Sequence, residues 1–168
     1  MDIILVLLRL LHIVSAFAWV GLGAAVTFYI APAAAQSGES GLRFMKTLLS
    51  KTNFGSIFAV VGGLTMLAGI LLYVHGNALR VFSQTGNIVL GIGAVAGILA
   101  TIHGGSVVGR STRALGTALV EQLPDGQPAA TQTISNLNTM VVTLASHARI
   151  SMALMIVALV CMGGARYL

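Results

Sequence analysis

Hydrophobic positions in this chain run in long blocks, without the strict alternation of a half-buried strand. Four blocks stand out, at about 3–31, 54–75, 87–108 and 140–164. Each is long enough, at about 20 apolar residues or more, to carry a helix across a bilayer core of about 30 Å. Within hydrocarbon, backbone N–H and C=O groups must be paired inside the segment, so each block is predicted to be helical. The pattern therefore predicts an all-α integral membrane four-helix bundle, with residues 1–168 forming one transmembrane domain.

Polar segments separate the blocks. The first, "AQSGESGLRFMKTLLSKTN", places Leu42, Met45, Leu48 and Leu49 on one side and Arg43 and Lys46 on the other. That pattern suits a short helix lying at the membrane interface. In the third segment "LPDG" is a turn signal, and its flanks, "STRALGTALVEQ" and "AATQTISNLN", read as extensions of spans three and four beyond the bilayer. Interfacial helices or helix extensions are thus expected on the side of the first and third loops, the loop side.

Composition agrees with lipid as the surrounding medium. The chain is 57% hydrophobic and 8% charged, against about 25% charged residues in soluble domains. Its net charge of +5 is scattered along the sequence, whereas a nucleic-acid surface gathers its cations on one face. Arg43, Lys46, Lys51, Arg110 and Arg113 fall on the loop side, and only Arg80 and Arg166 lie outside the spans on the other, terminal side. This bias places the loop side in the cytoplasm of a multi-pass inner-membrane protein and the termini outside. The first block is longer than a signal-peptide core of about 7–15 residues and lacks a basic region before it, so "APAAA" is not expected to be a cleavage site. Cys161 is the single cysteine, which excludes an intrachain disulfide.

Candidate chemistry centres on the histidines. His12, His75, His103 and His147 each fall in a different span. Following the chain back and forth places His12 and His75 toward the terminal side and His103 and His147 toward the loop side. Two imidazoles on neighbouring helices can hold one haem iron, so the spacing suits haem b, one or two per chain. Gly93, Ala96 and Ala100 form a small-residue stripe ending at His103 that could admit a porphyrin. Arg9 shares a face with His12, Arg80 follows His75 and Arg149 follows His147; these cations are candidates for the propionates. An ionisable residue inside a span is a functional candidate, and no acidic residue lies deep in any span. Met152, Met155 and Met162 with Cys161 are the soft ligands a Cu(I) handler would use, although methionine also serves as core filler. No hydrolase or phosphate-binding motif is present.

The segment "RLLHIVSAFAWVG", with Arg9, His12 and Trp19, resembles the first helix of small four-helix bacterial membrane proteins of the copper-resistance D type and of HemJ, the membrane protoporphyrinogen oxidase. The closing "CMGGARYL" is similar to the end of proteins related to the copper-resistance group. The resemblance implies that His12 is a haem or metal ligand with Arg9 as its charged companion. Arg9 stands where HemJ typically has lysine, and no HemJ-like C-terminal motif is present.

Together these readings predict a haem b-binding membrane protein that moves electrons within or across the bilayer, exchanging them with a quinone or a redox subunit. The alternatives are a copper- or metal-handling transporter, a non-catalytic membrane subunit of a larger complex, and a HemJ-like oxidase. The sequence leaves room for a homo-oligomer.

Overall fold

A computed structural model describes residues 2–75 and 84–168. Five helices account for nearly all of them: α1 (Ile3–Gln36), α2 (Gly38–Ser50), α3 (Phe54–His75), α4 (Thr85–Gln122) and α5 (Thr131–Gly164), the last running into a short 3-10 turn at Ala165–Tyr167. Helices α1, α3, α4 and α5 are long and apolar enough to cross a membrane. Many of their large apolar side chains are left bare, among them Phe17, Leu67 and Val160. Such surfaces suit lipid contact, and the protein is an all-α helical bundle.

The spans pair as two antiparallel hairpins, α1 with α3 and α4 with α5. Between transmembrane helices close packing replaces the hydrophobic drive that operates in water, and small residues permit that packing. Gly62 lies under the Trp19 indole, where a methyl would stand 3.2 Å from Nε1. In the second hairpin Gly93 lies under α5, where a methyl would stand 3.0 Å from both Cys161 Cβ and Met162 Cγ. The two hairpins meet at a cluster of Trp19, Ala100, Met152 and Met155.

On the loop side α4 and α5 continue well past the apolar blocks. Leu115, Leu119, Leu123, Leu137 and Val141 from these extensions are fully buried with Leu42 and Met45 of α2. The amphipathic helix thus turns its apolar face onto these extensions, forming a cap. Its stripe meets complementary leucines, and each buried side chain contributes roughly 1.5–3 kcal/mol. Gly38, at φ +57°, supplies the left-handed joint between α1 and α2. A methyl at Gly41 would run into the Ala34 backbone, so α2 can fold back closely only with glycine there.

Polar contacts fasten this cap. Lys46 is almost buried, and its Nζ donates to the Leu123 carbonyl and to Asp125 Oδ1, both at 2.6 Å. Arg43 donates to Glu39 Oε1 at 2.8 Å and to the carbonyls of Pro124 and Gln127. Glu39 in turn accepts from the Ala129 N–H at 3.3 Å. The "LPDG" turn lies within this network, with Gly126 at φ +77°. Hydrogen bonds from Arg43 and Ala129 hold the Glu39 carboxyl below its ordinary value, and Lys46 does the same for Asp125.

Two of the long helices widen by one π-turn, at Val26–Ile30 in α1 and at Gly104–Val108 in α4. Each has a local cause. Pro32 has no N–H to give the carbonyl four residues back, and Gly104, Gly105 and Ser106 form the Gly/Ser run at which helices deform.

Candidate functional site

The loop-side histidines come together. His103, the last residue before the α4 π-turn, and His147 of α5 have ring centroids 6.3 Å apart and planes inclined by 21°. His103 Nδ1 lies 2.8 Å from the Ser151 hydroxyl, one turn along α5 from His147. That contact fixes the ring and leaves Nε2 without a partner among the described residues, the arrangement by which an outer partner orients a metal-binding histidine. Both rings are partly buried. π-turns recur at functional sites, and this one re-aims α4 directly beyond His103.

The terminal-side pairing expected from the chain's path is not formed. His12 sits against Gly69, where a methyl would lie 2.9 Å from Cε1, and its Nδ1 donates to the Thr65 carbonyl at 2.9 Å. His75 lies six residues further along α3, about 9 Å by helical rise. Its ring is exposed and turns back to its own helix, donating from Nδ1 to the Leu71 carbonyl at 3.1 Å. Both histidines belong to the same hairpin, but helical phase separates them.

The remaining candidates divide similarly. Gly93 is covered by Cys161 and Met162, and Ala100 is fully buried beside Trp19, Met152 and Met155. The small-residue stripe is therefore filled by α5, so the porphyrin space expected along it is used for helix packing. Arg9 and Arg149 are exposed, with no carboxylate partner among the described residues. Arg80 lies outside the described residues. Among the described residues no group of three or more His, Cys, Asp or Glu side chains converges as a metal site.

Two participants escaped the sequence reading. Ser151 was visible only as a serine near His147, and nothing in its spacing tied it to His103. Thr27 lies in the α1 π-turn, one turn beyond Gly23, whose missing Cβ faces Met152 and Met155. It is buried at 2% exposure, yet its side chain makes no hydrogen bond among the described residues. Its signal was the proline five residues on, which predicts a disturbed helix.

Compared with family models, curated proteins and solved structures, the chain has no match.

Proposed function

We propose that this chain is an inner-membrane haem b protein that transfers electrons, and that it holds one haem through His103 and His147. The juxtaposition of these two rings, one fixed by Ser151, is the observation that carries the reading. Among the described residues no third His, Cys, Asp or Glu joins the two rings. A bare transition-metal ion asks more of a protein, whereas haem iron takes four nitrogens from its porphyrin and needs only axial ligands. When bound, the haem would supply one-electron redox chemistry. His103 and His147 would hold its iron, and Ser151 would orient the first of them. Arg149, Arg110 and Arg113 are the nearby cations available to the propionates. Gly93 and Ala100 have no part in this assignment, and His12 and His75 are bonded to separate backbone carbonyls rather than to a shared site. The loop side, richer in Lys and Arg, is assigned to the cytoplasm.

Oxidised and dithionite-reduced visible spectra of the detergent-purified protein test the reading, with a pyridine haemochrome assay for stoichiometry. One haem per chain is expected, retained in His75→Ala and lost in His147→Ala and His103→Ala. A colourless protein from haem-replete cells would end the proposal.

One observation favours a second reading. Helices α4 and α5 close tightly on each other at Gly93, and Met152 borders Ser151, an arrangement friendlier to a bare ion such as copper than to a wide macrocycle. A colourless protein that co-purifies with copper, and loses it in His103→Ala, would establish this alternative.

A further inference from the structure

His12 is left without a role by the loop-side centre, yet its geometry is specific. Its ring rests on Gly69, and its Nδ1–H is committed to the Thr65 carbonyl. A carbonyl can only accept, so in the neutral imidazole Nε2 carries the lone pair. Among the described residues Nε2 has no partner. His12 is half-buried, and its Nε2 is available to a hydrogen-bond donor from a bound molecule.

One turn toward the terminal side stands Arg9, a cation inside a span with no anionic partner among the described residues. Side chains three residues apart on a helix stand about 5–6 Å apart at Cβ. Leu10 and Ile13 beside them are exposed to lipid. The face thus offers one hydrogen-bond acceptor and one fork of cationic donors, and it opens sideways into the bilayer. A ligand suited to it is membrane-soluble, has a hydroxyl at one end of a small ring and an oxygen acceptor at the other.

We propose that His12 and Arg9 form a binding site for a quinol-type headgroup, with His12 Nε2 accepting the hydroxyl hydrogen and Arg9 donating to the opposite oxygen. This assignment rests on the electron-transfer reading for its physiological sense, and it names the partner of that reading. It also gives Trp19 a place. The indole lies two turns along α1 from His12, on the same face, and packs in the cluster with Ala100, one turn from His103. Trp19 thus stands along α1 between the level of His12 and the cluster where the two hairpins meet.

Trp19 is the single tryptophan and reports on this face directly. The test titrates the purified full-length protein with 2-heptyl-4-hydroxyquinoline N-oxide, a hydroxyl-bearing quinol analogue, and follows Trp19 emission. Saturable quenching is expected for the natural chain. His12→Asn keeps an N–H for the Thr65 carbonyl but removes Nε2, and should weaken binding by about tenfold or more, the loss of one good hydrogen bond. Arg9→Gln should weaken it as well, while His75→Ala should leave it unchanged. Quenching that rises linearly without saturation, or an affinity unaltered in His12→Asn, overturns the proposal. Saturable, His12-dependent quenching in a colourless protein would keep this site and reject the haem assignment; haem without saturable quenching would do the reverse.

Discussion

His12 and Gly69 are matched so closely across the first hairpin that the imidazole occupies the space a side chain on α3 would take, with Cε1 only 2.9 Å from where a methyl would begin. The atoms that would collide belong to a ring held by a hydrogen bond, so the clash has no easy escape. Gly69→Ala should therefore lower thermal stability in detergent by about 1–3 kcal/mol, the range for overpacked sites. Gly63→Ala is the internal control. Nothing lies within 4 Å of its added methyl, and alanine is the better helix former by about 1 kcal/mol. Equal melting temperatures for the two variants would refute the packing account.

Ser151→Ala removes the only hydrogen bond that fixes the His103 ring among the described residues. Loss of such an outer partner typically costs about 10–100-fold in metal affinity. The expected result is reduced haem occupancy, restored in part by Ser151→Thr. A haem content equal to the natural chain in Ser151→Ala would show that the serine does not position the ligand.

Lys46→Met should loosen the cap without disturbing the spans. The ammonium satisfies the Leu123 carbonyl inside the cap, and a hydrogen bond involving a charged group is worth about 1.5–3 kcal/mol. Faster limited proteolysis within the 123–130 segment, with the span helices intact by circular dichroism, is the measurement. Unchanged cleavage would mean that the leucine core alone holds α2.

Acid should open the same cap. Glu39 and Asp125 are held below their ordinary values of 4.5 and 3.8 by Arg43 and Lys46 respectively. A carboxylate lowered in the folded state stabilises fully above its unfolded value, and that contribution disappears as pH falls through the folded one. Protease resistance of the turn should therefore be flat from pH 7 to about 5 and fall below the ordinary carboxylate range. Glu39→Gln should remove part of this dependence. A cap equally resistant at pH 7 and pH 3 would contradict it.

Much of this architecture could be read from the chain. The four apolar blocks and the extensions of α4 and α5 followed from length and hydropathy, and the "LPDG" turn from its residues. The fate of α2 did not follow, because an apolar stripe of Leu42 and Met45 looks the same whether lipid or protein covers it. Its partner was written in Leu115, Leu119 and Leu123, whose regular spacing in a polar segment marks an apolar face of its own. Position along the helices was legible for the histidines, but rotation was not. His103 and His147 happened to be brought together, whereas His12 and His75 share a level only approximately and point apart. Each residue of helix turns a side chain by about 100°, so a single widened turn is enough to defeat such a projection.

The α4 π-turn has a further consequence for phase. His103 and Leu115 are twelve residues apart, which in an unbroken α-helix at about 100° per residue would point them about 120° from each other. A π-turn absorbs one residue, and eleven residues close almost three whole turns. The insertion thus keeps the membrane histidine and the first leucine of the cap on nearly one line. The helix works as a geared shaft that takes up an extra tooth without turning its two ends apart. Deleting Gly105 would remove the bulge and keep the two ends aligned, whereas straightening the helix with every residue in place would turn one half against the other by about 100°.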